Sequence, residues 1–147
     1  MPRVTRNANV VWEGNVARGG GRINGQSGAL ADLEVTLASR VGSPEGKTSP
    51  EELIAAAHAA CYAMSLSTEL SQAGTPPERL DVSSTVVLDE VGGSHAITGA
   101  DVQVSARVPG TSDESFQHAV RAADDGCTIS NLLRGTGEVR VDARLET

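Results

Sequence analysis

The chain has 147 residues, a formal charge of −7 and 39% apolar side chains, of which one tryptophan, one tyrosine and one phenylalanine are its aromatics. Length and apolar fraction suit a single globular domain over 1–147 and exclude a disordered chain. The acidic balance and the scarcity of aromatics exclude nucleic acid and anionic membrane surfaces as partners.

The opening segment MPRVTRNANV lacks the apolar stretch of a secretory leader. The longest apolar run, Leu53 to Leu66, is broken by His58 and Ser65 and falls short of the roughly 20 residues of a membrane span. The expected compartment is the cytoplasm, where thiols stay reduced. Cys61 and Cys127, the only cysteines, then lean toward catalysis, redox chemistry or metal rather than a structural disulfide.

The first predicted strand is ANVVWEG (8–14), a run of β-formers closed by glycine. NVARGGGRINGQSGAL continues as strands broken by glycine turns, and EVTLASR (34–40) reads as another short strand. RGGGR has no following helix and no P-loop lysine, so it reads as a hairpin rather than a phosphate cradle.

The sharpest boundary is TSPEELI. Ser49 is placed as an N-cap, Pro50 at the first helical position, and Glu52 three residues after the cap completes a capping box. The helix is predicted to run to about Ala73, where Gly74, Pro76 and Pro77 end it. At about 1.5 Å per residue it is roughly 35 Å long. Its middle is apolar all round and requires cover on every side. One small domain covers one face, so a partner subunit is expected to cover the other, making a homodimer.

Alternation returns at Leu80, Val82, Ser84, Val86 and Leu88, and again at Ala100, Val102, Val104, Ala106 and Val108, with Gly92–Gly93 as the hairpin connection. SDESFQHAVRAADD (112–125) opens a second helix at Ser112 and Gly126 stops it; CTISNLLRG makes a short third helix. GEVRVDARLE (137–146) closes the chain as a strand. The order βββ-α-ββ-αα-β predicts an α+β domain of mainly antiparallel sheet with helices on one side.

The residues alone leave several readings of the cysteines open. Cys61 lies in the middle of the buried helix, where burial disfavours the thiolate unless a cation is brought to it. Cys127 lies at the start of a short helix, a setting that stabilises anions. Both are compatible with inert core packing in a non-enzymatic dimer that binds an apolar ligand. A zinc site drawn from the two cysteines with His58, His95 and His118 does not match the spacing of a zinc module. A Cys61–His58 nucleophile and base pair, as in a hydrolase, fits i,i+3 helix geometry, without an evident residue to orient the histidine.

SPEELIAAAHAACYAMSLS and AADDGCTISNLL resemble the paired signature segments of the OsmC/Ohr family of thiol-dependent organic-hydroperoxide peroxidases. VVWEG and EVRVDARL fit the OsmC branch, as does His58, so the resemblance spans nearly the whole chain. It implies an OsmC-like fold with a long buried central helix in an intertwined homodimer. It also implies a peroxidatic Cys61, a resolving Cys127, and an Arg40 (in LASRVG) and Glu51 (in the Pro-Glu-Glu-Leu turn) that serve the site. Arg18 and Arg22 of RGGGR compete with Arg40, because the Ohr branch draws its arginine from an earlier glycine-flanked segment. The implied reaction reduces an organic hydroperoxide to an alcohol through a Cys61 sulfenic acid and a Cys61–Cys127 disulfide, with no bound cofactor or metal. An external dithiol of lipoyl type is the implied reductant. The alanines and Met64 would give the site an apolar mouth. Glu51 stands ten residues (61 − 51) before Cys61, about 15 Å of helical rise. The expected site is therefore composite: Cys61 and Cys127 from one chain, Arg40 and Glu51 from its partner.

Overall fold

The computed structural model describes residues 2–146, in two compact units, Met1–Leu53 and Ile54–Thr147. The first unit holds an antiparallel sheet in the order β1-β2-β3, from β1 (Ala8–Glu13), β2 (Gly20–Gly25) and β3 (Leu33–Val35). RGGGR enters β2 as one arm of the β1–β2 hairpin, as expected. Gly21 pairs with Trp12, and a Cβ there would lie 2.9 Å from the indole, so only glycine lets the ring lie across the strand.

EVTLASR is not one strand. β3 ends at Val35, and Leu37–Val41 forms a short helix, α1, that carries Arg40. The cause is a capping box. Thr36 Oγ1 accepts from the Ser39 N–H and Ser39 Oγ accepts from the Thr36 N–H, each at 3.0 Å. The Ser39 hydroxyl also donates to the Thr48 carbonyl at 2.8 Å. Local hydrogen bonds thus end the strand after Val35 and override the β-propensity of Thr36. Among the described residues of this unit the buried apolar side chains are Ile23 and Val35, whereas Val10, Val11 and Trp12 of β1 are exposed.

The long helix α2 (Pro50–Gln72) begins at Ser49, whose hydroxyl accepts from the Glu52 N–H at 3.1 Å. The Glu52 carboxylate does not close the box. It accepts from the Thr48 hydroxyl at 2.6 Å, an oxygen donor within easier reach. At the other end Gly74 takes φ +83 and Thr75 N–H donates to the Leu70 carbonyl at 2.9 Å. His58, Tyr62, Leu66 and Leu70, four residues apart, are buried along one face. Ala56, Ala57, Ala60 and Met64 are exposed on the other, so the chain by itself covers the helix on one side only.

The second unit adds β4 (Arg79–Val91), β5 (Ser94–Arg107), α3 (Asp113–Gly126), α4 (Thr128–Leu133) and β6 (Glu138–Leu145). β4 and β5 form a long antiparallel hairpin through Gly92 and Gly93, both at positive φ. β6 pairs parallel to β5. The pairing follows from connectivity, because two helices carry the chain back across the sheet before β6 begins. Val102, Val104 and Ala106 of β5 pack with Tyr62, Leu66 and Leu70 of α2 and Phe116, Ala119, Val120 and Ala123 of α3. Each fully buried large side chain in this cluster contributes about 1.5–3 kcal/mol. The α+β class and the element order stand, with α1 added.

Candidate active site

The four residues singled out in the sequence fall into two pairs, one in each unit. In the first unit, α1 and the first turn of α2 bring Arg40 to Glu51. Arg40 Nε donates to Oε1 and a terminal nitrogen to Oε2, both at 2.9 Å, a two-pronged clasp that fixes the guanidinium plane. The hydrogen bond to Glu51 raises the Arg40 pKa above its ordinary value against the opposing effect of burial, so the cation is permanent. Glu51 is buried although it is charged. Arg22, one of the competitors, is engaged by Asp32 at 3.2 Å and Glu34 at 2.9 Å. Arg18 is exposed on the turn between β1 and β2.

In the second unit the two thiols meet. Cys61 precedes the buried Tyr62, so its sulfur stands at the edge of the buried face and is partly exposed. The first turn of α4 is laid against it, with Thr128 Oγ1 3.5 Å from Cys61 Sγ. Burial pushes the Cys61 thiol up. Hydrogen bonds from the Thr128 hydroxyl, the Ile129 N–H, the Cys127 thiol and the Thr128 N–H pull it down further, and the balance lies below the ordinary value. Within this unit, the groups that favour the thiolate are therefore a hydroxyl, the Cys127 thiol and the backbone amides of a helix start. The sequence signal for that helix start was visible at Cys127, and its Thr128 and Ile129 amides serve the Cys61 sulfur as well. Thr128 is the functional residue that reading missed.

Cys127 is fully buried and caps α4 with its own sulfur, which accepts from the Ser130 N–H at 3.4 Å. Both cysteines are free thiols.

His58 does not pair with Cys61. Its Nδ1 lies 2.8 Å from Ser84 Oγ and its Nε2 2.7 Å from Ser130 Oγ. A neutral imidazole has one donor and one acceptor, and two serine hydroxyls satisfy both. Burial lowers the His58 pKa, a neighbouring Asp124 carboxylate raises it, and Arg134 lowers it, leaving it below the ordinary value. The nucleophile and base pair of a hydrolase is thus not formed, because both ring nitrogens are committed away from the sulfur. Among the described residues no group of three or more histidine, cysteine or carboxylate side chains is arranged to hold a metal ion.

The chain matches the family model described as OsmC-like protein over residues 42–142. It is 37% identical to peroxiredoxin OsmC of Escherichia coli strain K12, over 92% of this chain and 93% of that protein. It is 30% identical to an organic hydroperoxide resistance protein of Xanthomonas axonopodis pv. citri, over 74% of this chain and 75% of that one. The crystal structure of the organic hydroperoxide resistance protein OhrB of Bacillus subtilis superposes with a TM-score of 0.70 at 26% identity, covering 94% of this chain and 98% of that one. With its two cysteine segments folded against one another in the same architecture, the chain belongs to the OsmC family.

Proposed function

We propose that the protein is a thiol peroxidase that reduces organic hydroperoxides to alcohols. The observation that carries this is a partly exposed Cys61 whose thiolate is favoured by the start of α4, directly beside a second, buried thiol. The names of its relatives, a peroxiredoxin and an organic hydroperoxide resistance protein, support the same chemistry.

The Cys61 thiolate attacks the terminal oxygen of the hydroperoxide. The O–O bond breaks, the alkoxide takes up the proton that Cys61 has lost, and an alcohol leaves a sulfenic acid on Cys61. Cys127, at the start of the helix whose Thr128 faces Cys61, then attacks that sulfur. A sulfur–sulfur bond forms, the sulfur–oxygen bond breaks, and the oxygen departs as water with the Cys127 proton. The leaving group thus receives its proton from the attacking thiol itself. An external dithiol, of lipoyl type, reduces the disulfide and is oxidised to its own disulfide. Met64 and Leu132, both exposed apolar side chains of the second unit, fit a preference for alkyl or lipid hydroperoxides.

Arg40 and Glu51 serve the sulfur from a partner chain in a homodimer. Two observations support a dimer: the exposed face of α2 and the apolar side chains of β1 left without cover. A mixture of Cys61→Ser and Arg40→Ala chains tests the composite site. Each is inactive or nearly so alone, and the heterodimer recovers one intact site. Unrecovered activity in a verified heterodimer overturns that arrangement. No described helix is long and apolar enough to cross a membrane, and thiols that cycle fit the reducing cytoplasm.

The peroxidase reading itself is tested by counting thiols after one equivalent of an organic hydroperoxide. Wild-type chains lose both thiols, and Cys61→Ser loses none. Retention of both thiols by the wild type refutes the reading and returns the cysteines to core packing.

A further inference from the structure

The peroxidase chemistry leaves a fully buried imidazole without a task. His58 is 0% exposed in a helix face otherwise closed by Tyr62, Leu66 and Leu70. An apolar residue would fill that space with no polar atoms to satisfy, whereas an imidazole there requires two partners. Its partners come from two different elements. Ser84 belongs to β4 and Ser130 to α4. Ser130 is itself fully buried, and its N–H is the group that holds the Cys127 sulfur at 3.4 Å.

The far end of α4 has its own ties. Arg134 pairs with Asp124 and bonds Asn131 Oδ1 at 2.7 Å, and Asn131 donates to the Asp125 carbonyl at 3.0 Å. The first turn, which carries Cys127 and Thr128, is held to the end of α3 by the Cys127 N–H on the Asp124 carbonyl at 3.3 Å, and to the sheet through Ser130. From Ser84 through the imidazole to Ser130, a continuous line of hydrogen bonds fastens that turn to the sheet.

We propose that His58 is the positioning residue of the resolving step: by tying Ser130 to Ser84 it fixes the first turn of α4, and so holds the Cys127 thiol and the Thr128 hydroxyl at the Cys61 sulfur. The inference rests on the proposal that Cys61 and Cys127 form a disulfide. When that bond forms, Cys127 gives up the Ser130 N–H, while Ser130 itself stays fastened through His58, so the turn is in place to receive the thiol again after reduction. Without the tie, the sulfenic acid waits longer for Cys127. A second hydroperoxide then reaches it, oxidising it to the sulfinic acid and leaving a second alcohol.

Asparagine and glutamine separate positioning from simple filling of space. The amide of His58→Asn takes the place of Nδ1 and keeps Ser84; that of His58→Gln reaches the place of Nε2 and keeps Ser130. The first measurement is the alkylation rate of Cys127 by iodoacetamide in a Cys61→Ser background, alongside the urea midpoint of each variant. Loss of the one buried hydrogen bond at Ser130 is expected to speed alkylation about tenfold in His58→Asn, and glutamine to leave it within about threefold. Ser130→Ala, which keeps the imidazole, is expected to behave as His58→Asn. The second measurement is the share of Cys61 converted to sulfinic acid by excess tert-butyl hydroperoxide, which rises several-fold in His58→Asn and Ser130→Ala and not in His58→Gln. The inference is overturned if asparagine and alanine leave both readouts at wild-type values, or if asparagine and glutamine change them equally in proportion to lost stability. Alkylation needs no hydroperoxide, so it decides the tie even if the wild-type protein retains its thiols and the peroxidase proposal falls.

Discussion

Replacing Thr128 with valine removes one oxygen from the Cys61 sulfur and almost nothing else. Valine is isosteric, β-branched like threonine, and Cys127 rather than Thr128 caps α4. A hydrogen bond to an ionised group contributes about 1.5–3 kcal/mol. The 3.5 Å separation places this one at the weak end, and about 1.4 kcal/mol is a tenfold change in thiolate population. Nucleophilicity moves the other way, with a Brønsted coefficient of about 0.4–0.5, which returns roughly a factor of three. The net expectation is a crossing pair of profiles for the initial reaction of Cys61 with a dipyridyl disulfide. Below both midpoints Thr128→Val reacts about threefold more slowly than the wild type, and on the alkaline plateau about threefold faster. The same change is visible in stability. A depressed thiol pKa stabilises the fold fully above the ordinary value of 9.0, and that contribution is lost as the pH falls through the folded-state value. Wild type and Thr128→Val therefore differ in urea midpoint at high pH and converge in acid. Superposable rate profiles would refute the assignment of the Thr128 hydroxyl to the thiolate.

Arg40→Ala is expected to slow the oxidation of Cys61, with Arg40→Lys restoring only part, because lysine cannot make the two-pronged clasp to Glu51; unchanged oxidation in Arg40→Ala moves the role to Arg18 or Arg22. Cys127→Ser should consume one equivalent of hydroperoxide and then stop, and continued turnover with a dithiol would show that resolution does not need it. The lowered pKa of His58 means that unfolding takes up a proton below the ordinary 6.5. Stability measured by urea titration should fall as the pH drops through that value, and this acid-side loss should be absent in His58→Gln. Phe116→Ala, at a 0% exposed position of the core, should cost about 3–5 kcal/mol by urea unfolding; a loss under about 1 kcal/mol would mean that the site collapses around the cavity.

Much of this protein is written locally. The cap at Ser49 with Pro50 behind it, the positive-φ glycines at 92 and 93 and the serine cap at 112 act within a few residues, so the elements they bound appear in the structure where pattern and propensity place them. The exception, EVTLASR, is instructive. Thr36 and Ser39 carry the same three-residue capping pattern as a serine and glutamate, and their mutual hydrogen bonds end β3 and start α1. The pair of cysteine segments was also legible, because residue identity and flanks carry the family resemblance. What sequence alone did not decide is which side chains meet. Cys61 and Thr128 are 67 residues apart, and His58 and Ser130 are 72 apart. Periodicity along a helix predicts which face a residue occupies, but contact across such separations depends on how α2 and α4 pack against a shared core. At i,i+3 from Cys61, His58 could be read either as its base or as a packed histidine bonded to backbone or water. Packing turned both ring nitrogens toward serines instead, because a buried imidazole is stable only where two hydrogen-bonding partners are brought to it, and the tertiary fold supplies them at Ser84 and Ser130.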